Sequence, residues 1–471
     1  MRHVTLALLL VSCAVNAAPG ITQDEAGFDV HKISERVILV SDRAEGTPQL
    51  AIASEKGIVV FDSHWSNITA AKFRAAIAEA FGRDDFAYTV NHVERVDFIG
   101  GNETYKDTTI IAHEYLREVL DKERVEAEVK ELIEMWRWKE RVSSERLATH
   151  EPGSDREKGE RAWMLTCKRR ADELEQGFSL FLPSVYYNDR LTLDLGDITL
   201  KLIYFGKAGY DGMTVFHVPE ERLAIISGFI MHEQHLAPYP QPDYTKLDVF
   251  RWIAVLEEIL SEEAGVEKVL CGMYERVWSR EQALQRLGYV KKLWGEVTAL
   301  EAEGLTLAEV QESLSLDGAF SFVKEWGDYQ KHGDDWFRPQ HVTHVRLFYL
   351  QHKKMASELV INKYESSDIT SALAEYKRLL ENPGDLYFDE PSFNGMGYYL
   401  LSGGQVAEAI ELFKMNVAAF PESANVYDSL GEAYMKHGDT EPAIANYRKS
   451  LELNPDNENA KSKLSELGVE K

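Results

Sequence analysis

Hydrophobic and polar positions divide the chain into a first part with the patterns of alternating strands and helices and a second part with helical spacing throughout. Apolar runs between residues 37 and 61 predict two or three short strands, 70–81 predicts a helix, and 86–90 predicts another strand. This alternation predicts a mixed α/β domain. From residue 291 to about 364 the spacing is helical, and Thr306 with Glu309 has the pattern that caps a helix N-terminus.

Residues 120–177 interrupt the alternation with a stretch that is dense in Glu, Lys and Arg. Met135, Trp136 and Trp138 lie among these charged residues. Pro152 and Gly153 predict a break between two helices, because both residues interrupt helical structure. We interpret this stretch as a charged helical insertion.

The most regular pattern in the chain is a period of 34 residues near the C-terminus. Two units carry matching aromatic, small and proline residues: Phe393, Met396, Gly397, Leu400, Ala409, Phe413 and Pro421, then Tyr427, Leu430, Gly431, Tyr434, Ala443, Tyr447 and Pro455. These positions resemble the tetratricopeptide repeat, a pair of packed helices. An upstream helix over 371–381 resembles half of a degenerate repeat, and 459–467 resembles a capping helix. We therefore expect an all-α repeat region over 366–471.

The resemblance to tetratricopeptide repeats implies a concave groove that suits a peptide or a partner helix. Four residues are expected near this groove by their repeat position: Asn394, Tyr398, Asn425 and Asp428. Binding of a protein or peptide partner is one interpretation. Self-association, or packing of the repeats on their own chain, is the other, because no residue here specifies a ligand.

The run from residue 91 to residue 102 resembles the H-x-H-x-D-H-x-G-G-N metal loop of the metallo-β-lactamase superfamily. Gly100, Gly101 and Asn102 match this pattern, and Asp97 matches its aspartate. His92 lies one residue early, which along a strand would point it to the opposite face. The three histidine positions of the pattern carry other residues: Val93, Arg95 and Phe98.

Three later blocks resemble the remaining ligand-bearing segments of the superfamily, and each lacks its ligand. The corresponding positions carry Gly209, Phe229 and Met273. Together the four blocks imply an αββα sandwich over 28–285, with the helical insertion at about 120–177 and a helical extension over 286–365. In this superfamily such insertions overhang the cleft, so this one is expected to be a lid or docking surface, or else a solvated helical hairpin.

Valine and phenylalanine have no lone pair to give a metal, and the arginine cation repels one. We therefore expect a domain that keeps the fold without a metal or catalytic residues, its cleft filled by apolar side chains that pack as core. Asp62 and His113 are expected to be structural hydrogen-bonding groups. Arg95 is expected to pair with Asp97 or Glu94, or to bind an anion in the cleft. The alternative is a divergent metal site drawn from Asp62, His64, His92, Asp97, His113, His232 or His235.

Composition indicates an exported protein. Arg2 and His3 precede an apolar run too short to span a bilayer, and small residues follow, which predicts a signal peptide over 1–18. Cys13 lies in a lipoprotein-like sequence, so a lipidated N-terminus is the alternative. The other two cysteines, Cys167 and Cys271, are too few for a disulfide scaffold. A net charge of −26 argues against a nucleic-acid-binding surface.

These patterns favour a periplasmic or secreted protein that binds a ligand or a partner. The ligand would be a small anionic or aromatic molecule in the cleft, and the partner a protein or peptide on the repeats. The alternative is a zinc-dependent hydrolase of the same superfamily that acts on an ester, thioester or lactam.

Overall fold

The computed structural model describes residues 27–43, 48–93, 95–206, 213–226, 247–271, 277–402 and 404–469. These residues form two compact units. The sheet unit contains the described residues from 27 to 345, and the repeat unit contains those from 346 to 469. Two β-sheets define the first unit, and packed helix pairs define the second.

Seven strands form the first sheet, in the spatial order β1 to β7. Strands β1 to β4 pair antiparallel, and β4 to β7 pair parallel. The helices between the parallel strands supply the crossover connections that such pairing requires. The bounds are β1 Phe28–Lys32, β2 Val37–Asp42, β3 Pro48–Ser54, β4 Gly57–Phe61, β5 Phe86–Asn91, β6 Thr109–His113 and β7 Val185–Tyr187.

Six strands form the second sheet, in the spatial order β13-β12-β11-β10-β9-β8. Neighbours pair antiparallel except β11 and β12, which run parallel. The bounds are β8 Arg190–Asp194, β9 Thr199–Tyr204, β10 Thr214–Val218, β11 Leu223–Ile226, β12 Lys268–Cys271 and β13 Val277–Ser279.

The core of the sheet unit lies between the two sheets, because alternate residues of each strand point to opposite faces. Leu39 of β2 joins this inner cluster, while the next residue, Val40, joins a cluster on the other face of the first sheet. Phe61 of β4 and Phe216 of β10 meet edge to face across the sandwich, with ring centroids 4.6 Å apart. Large apolar side chains from both sheets therefore fill one shared layer.

Helices cover the outer faces of the sheets. The helices of the sheet unit are α1 Asn67–Phe81, α2 Val96–Ile99, α3 Glu114–Val119, α4 Lys122–Leu147, α5 Asp155–Gly177, α6 Val249–Ile259, α7 Arg280–Ala302, α8 Leu307–Ser313 and α9 Gly327–His332, and α10 Asp334–Leu350 contains the boundary to the repeat unit. On the first sheet, Phe73 and Ile77 of α1 pack into the outer cluster. On the second, Arg251 of α6 donates to the carbonyl of Tyr204 at 2.8 and 3.0 Å.

This arrangement of helix, sheet, sheet and helix confirms the predicted α/β sandwich. Helices α4 and α5 pack against each other and form the predicted helical insertion. The predicted cap is also confirmed: Thr306 and Glu309 form a reciprocal capping box at the start of α8. Among the described residues, no helix combines the length and apolar character that crossing a bilayer requires.

The repeat unit is built from helix pairs at the predicted spacing. Its helices are α11 Ala356–Ser366, α12 Ile369–Glu381, α13 Glu390–Ser402, α14 Val406–Ala419, α15 Ala424–His437, α16 Thr440–Leu453 and α17 Glu458–Glu466, with two short strands, β14 Lys354–Met355 and β15 Leu386–Tyr387. Helices α13, α15 and α17 begin at residues 390, 424 and 458, which are 34 residues apart (424 − 390 and 458 − 424). The predicted all-α repeat region is therefore confirmed.

Candidate functional site

Residues 91–102, which resemble the metal loop, are called the metal-type loop. Its two glycines, Gly100 and Gly101, lie directly against neighbouring backbone atoms. A Cβ atom on Gly100 would lie 2.2 Å from the carbonyl oxygen of Trp65, and one on Gly101 would lie 2.1 Å from that of Ser63. Real Cβ atoms do not approach so closely, so only glycine fits where the loop crosses the segment after β4. The glycines that carry the resemblance therefore have a structural reason that needs no metal.

Asn102 has an equally structural role. Its amide group donates to the side-chain oxygen of Asn91 at 2.8 Å and to the carbonyl of Phe181 at 3.0 Å. Its oxygen accepts from the Ser63 hydroxyl at 2.7 Å and from the Asn91 amide at 3.1 Å. Asn102 is fully buried, so these bonds satisfy a polar group that burial would otherwise penalise.

The positions at which the metal-loop pattern has zinc ligands carry residues that do not fit a zinc ion. Val93 is fully buried. The Arg95 guanidinium forms an ion pair with the Asp97 carboxylate. Phe98 packs edge to face against His92, with ring centroids 5.4 Å apart. Zinc requires lone pairs from imidazole, thiolate or carboxylate groups, and the single carboxylate among these positions is already paired with a cation.

Further potential ligands do not gather elsewhere in the part of the chain that the structure describes. That part contains no group of three or more His, Cys, Asp or Glu side chains placed to hold a metal ion. The predicted cleft positions Gly209, Phe229 and Met273 lie outside the described residues, as do Glu94, His232 and His235. The structure therefore brings together one side of the predicted cleft, namely His92, Val93, Arg95, Asp97 and Phe98.

His92 lies directly after strand β5. Strand β5 ends at Asn91, so the alternation of a strand does not extend to His92. Its ring consequently turns towards Phe98, and its Nδ1 atom contacts a carboxylate oxygen of Asp62. The other ring nitrogen, Nε2, has no hydrogen-bond partner among the described residues. His92 therefore contacts both Asp62, the residue after β4, and Phe98 of α2.

Asp62 holds the loop through backbone bonds, as predicted. Its carboxylate accepts the backbone N–H of His92 at 3.1 Å, and its own carbonyl accepts the side-chain amide of Gln49 at 2.6 Å. Its φ of 58° lies in the left-handed region that few residues other than glycine adopt. The predicted structural role of His113 is also confirmed, since its ring nitrogens contact the carbonyl of Asn188 and the backbone N–H of Tyr115.

His64 is a core group in this structure. Its ring stacks on Phe73 with centroids 3.8 Å apart, and the residue is only 5% exposed. Burial, with a smaller contribution from the nearby Arg170 cation, lowers the pKa of His64 to about 3. The imidazole is therefore neutral at physiological pH.

The helical insertion is docked onto the region of the loop. The Glu173 carboxylate of α5 accepts from the Trp65 indole at 3.1 Å, the Ser66 hydroxyl at 2.9 Å and the Lys72 ammonium at 2.9 Å, and it also accepts from the Thr69 hydroxyl. These donors lie on or just before α1. This contact rules out a hairpin that is solvated on all sides.

Two further residues of the insertion make contacts of this kind. One contacts the start of α2, and the other contacts Trp65, just before α1. Glu128 of α4 accepts the backbone N–H of Val96, the first residue of α2, at 3.4 Å. The Arg170 guanidinium lies over the Trp65 ring, 4.5 Å from its centroid, and over the Trp136 ring, 4.8 Å from its centroid. Cation–π contacts of this kind add to the docking energy. Sequence reasoning missed these groups, because their partners are distant along the chain.

In the repeat unit, three of the four predicted groove residues are engaged within the stack. The Tyr398 hydroxyl donates to the Glu432 carboxylate at 3.0 Å and forms a second hydrogen bond with the Ser429 hydroxyl at 3.2 Å. The Asn425 amide donates to Glu390 at 2.9 Å. Glu390 and Glu432 were missed by sequence reasoning, although both lie on the same helices as the predicted residues.

Asp428 is the third groove residue engaged within the stack, and Asn394 is the exception. Asp428 accepts from the side-chain amides of Asn457 and Asn459 at 2.9 and 2.7 Å, so it joins α15 to the capping helix α17. The side-chain oxygen of Asn394 is buried and has no hydrogen-bond partner among the described residues. Much of the predicted groove therefore joins one repeat to the next.

Comparison with known proteins supports the repeat assignment. The tetratricopeptide repeat family model matches residues 424–457. Superkiller complex protein 3 of Mus musculus is 38% identical over 60 residues, which cover 13% of this chain and 4% of that protein. Cellulose synthase operon protein C of Escherichia coli (strain K12) is 32% identical over 122 residues, covering 24% of this chain and 10% of that protein. The chain thus spans a tenth or less of these curated relatives.

Solved structures of similar fold include a metallo-beta-lactamase from Pontibacter korlensis, with a TM-score of 0.35 and 11% identity over 56% of this chain and 99% of that chain. The stereoselective inverting sec-alkylsulfatase from Pseudomonas sp. has a TM-score of 0.45 and 14% identity over 91% of this chain and 65% of that chain. The sheet order and the 34-residue helix spacing are properties of this structure and do not depend on these similarities. The chain combines an α/β sandwich of two β-sheets with a C-terminal region of packed helix pairs, in which residues 424–457 match the tetratricopeptide repeat.

Proposed function

We propose that this chain is an exported binding protein whose metallo-β-lactamase-like domain has lost its zinc ligands. The observation that carries this proposal is the loop itself, where Arg95 pairs with Asp97 and Phe98 packs on His92. The Arg95 cation already neutralises Asp97, the one carboxylate that matches the metal-loop pattern. The loop therefore works as a packed structural segment, held by its glycines and by Asn102.

The binding function is assigned to the repeats. Stacked helix pairs present an extended surface that suits a protein partner, and no such surface follows from the loop. The pairing of Arg95 with Asp97 favours a structural role for this arginine over capture of an anion. The repeat groove would take a peptide or helix of a partner protein, or a second copy of this chain.

Metal content after zinc loading tests the loss of ligands. Purified protein is incubated with zinc, desalted and analysed by elemental mass spectrometry, together with Asp97→Asn. The matched control is Asp107→Asn, because Asp107 is also a carboxylate paired with an arginine, Arg74, at 2.6 Å and lies outside the loop. We expect zinc well below one ion per chain in all three proteins, with no difference between the variants.

The alternative, a zinc hydrolase with a divergent site, gives a different pattern. It requires near one zinc per chain in the wild type and in Asp107→Asn, and loss of zinc in Asp97→Asn. It also requires hydrolysis of a generic ester, such as p-nitrophenyl acetate, that disappears together with the metal. That pattern would overturn the proposed function.

A further inference from the structure

The helical insertion extends well beyond the contacts that dock it onto the sandwich. Two of these contacts lie near the base of the hairpin, at Glu128 of α4 and at Glu173 of α5. The structure describes every residue from 137 to 166, and Ser143 is the only buried residue among them. A helix of a folded domain buries an apolar stripe against its neighbours. Residues 137–166 instead form a free end, which is covered by little more than its own two helices.

The side of the hairpin that carries the docked glutamates continues into this free end. Residues seven positions apart lie on the same side of a helix, because seven residues make about two turns. On α4, Met135 follows Glu128 by seven residues. On α5, Thr166 and Gly159 precede Glu173 by seven and fourteen residues. The docked side of both helices therefore continues beyond the contacts with the sandwich.

The two helices have complementary shapes on this side. Trp138 lies one turn after Met135 on α4 and is 51% exposed. The contact between Trp136 and Trp163, whose ring centroids are 6.0 Å apart, places Trp138 level with the next turn of α5.

That turn of α5 carries the small residues Gly159 and Ala162. A Cβ atom on Gly159 would meet no atom of the described residues within 4 Å, although a glycine inside a helix costs stability. The free end thus presents a protruding ring on α4 and open space on α5.

Charge distinguishes the free end from the chain as a whole. Residues 137–166 contain seven Lys and Arg residues against six Asp and Glu residues, whereas the whole chain has a net charge of −26. Two copies of such an acidic protein repel each other when their surfaces approach. The free end is close to neutral, so two copies can meet there without this repulsion.

We propose that the free ends of two copies of this chain pack together as a four-helix bundle with two-fold symmetry. An axis parallel to the hairpins sets α4 of one copy against α5 of the other, so all neighbouring helices are antiparallel. Each Trp138 ring then enters the space beside Gly159 and Ala162 of the other copy, and the symmetry forms this contact twice.

This self-association is separate from the partner binding proposed for the repeats. Only the free end of each hairpin is packed, so the interface is smaller than a standard one of about 800 Å² per partner, and we expect a dissociation constant in the micromolar range.

Sedimentation velocity of the purified protein at increasing concentrations tests this association. The wild type should change from monomer to dimer as its concentration passes through the micromolar range. Trp138→Gln removes the ring from both copies and should weaken the dimer by roughly a hundredfold, as for a tryptophan at the centre of an interface. Gly159→Leu fills the open space and should weaken the dimer to a similar extent. Leucine favours a helix more than glycine does, so this second variant keeps the fold of the hairpin.

The matched control is Trp336→Gln, because Trp336 is a 39% exposed tryptophan that lies outside the hairpin, on α10. This variant should dimerise as the wild type does. Wild-type protein that stays monomeric throughout the range would overturn the proposal, including the case in which another protein binds the free end. Dimers of undiminished stability in Trp138→Gln and Gly159→Leu would also overturn it, since self-association would then use the repeats or another surface.

Discussion

Two glutamates of the helical insertion show how nearby hydrogen-bond donors decide the protonation state of a buried carboxyl group. Glu128 and Glu173 are 8% and 6% exposed, so burial penalises the charge of both. Around Glu173 this penalty is outweighed by donors from Thr69, Lys72 and Ser66, and its pKa is lowered. Glu128 has one weak backbone donor, and burial raises its pKa to about 7. The two anchors of the insertion therefore respond to pH in opposite directions.

Glu128→Gln is expected to change the pH dependence of stability. Because the folded-state pKa lies near 7, above its usual value of 4.5, the folded state binds the proton more tightly. Glu128 therefore contributes most stability below pH 4.5 and loses it as pH rises through 7. Glutamine keeps the size and removes the charge, so the variant should be more stable than wild type by roughly 1–3 kcal/mol near pH 8, with the difference shrinking near pH 5.

Urea unfolding at these two pH values measures this difference. Glu173→Gln is the matched control in the same hairpin. Its folded-state pKa is lowered, so the charged form is stabilised, and this variant should be less stable than wild type near pH 8. Equal destabilisation of both variants at both pH values would contradict the assigned protonation states.

At the scale of elements, close helix approach in the repeats depends on two glycines at matching positions. A Cβ atom on Gly397 of α13 would lie 2.4 Å from the ring of Phe413 on α14. At Gly431 of α15 the corresponding distance to Tyr447 on α16 is 3.1 Å. The first contact requires the helices to move apart, while a shift of the aromatic ring by a few tenths of an ångström relieves the second.

Gly397→Ala is therefore expected to destabilise its helix pair more than Gly431→Ala destabilises the next one. Alanine favours a helix by about 1 kcal/mol over glycine, whereas overpacking costs about 1–3 kcal/mol. We expect a net loss for Gly397→Ala and a change near zero for Gly431→Ala. Hydrogen exchange of peptides from α13 and α14 measures this locally, with faster exchange in the first variant. Equal protection in both variants would show that the packing is looser than the structure indicates.

The sequence predicted those features that depend on neighbouring residues. The strand β5, the Thr306 cap and the 34-residue period all follow from local spacing, and the structure contains each of them. Contacts between distant segments could not be predicted this way. Glu173 meets Ser66 across 107 residues, and neither residue carries a local signal for the other.

The candidate site residues also divide into those that local spacing predicted and those that depend on contacts between distant segments. The loop substitutions at Arg95 and Phe98 were visible, because a motif fixes their spacing. The surroundings of His92 could not be predicted from the sequence, because they depend on where β5 ends. The cross-strand pairing of Lys201 with His217 was not predicted, because it depends on the register of neighbouring strands.

At the scale of the whole molecule, the net charge limits the kinds of surface that the protein can bind. A net charge of −26 opposes binding to nucleic acids and to anionic membrane surfaces. A lipid anchor would therefore have to hold the chain at a membrane without help from a basic surface. Cys13 is the residue that would carry this anchor under the lipoprotein alternative.

Export with simple cleavage predicts a mature chain that begins after the small-residue site near Ala17, without lipid. The full-length gene product, expressed in a Gram-negative host, should appear in the periplasmic or secreted fraction, with a mass shortened by the leader. Cys13→Ser should give the same mature mass, because the cysteine is removed with the leader. A wild-type protein found in the membrane fraction with an acylated Cys13, and lost from it in Cys13→Ser, would establish the lipoprotein. Uncleaved protein retained in the cytoplasm would contradict export altogether.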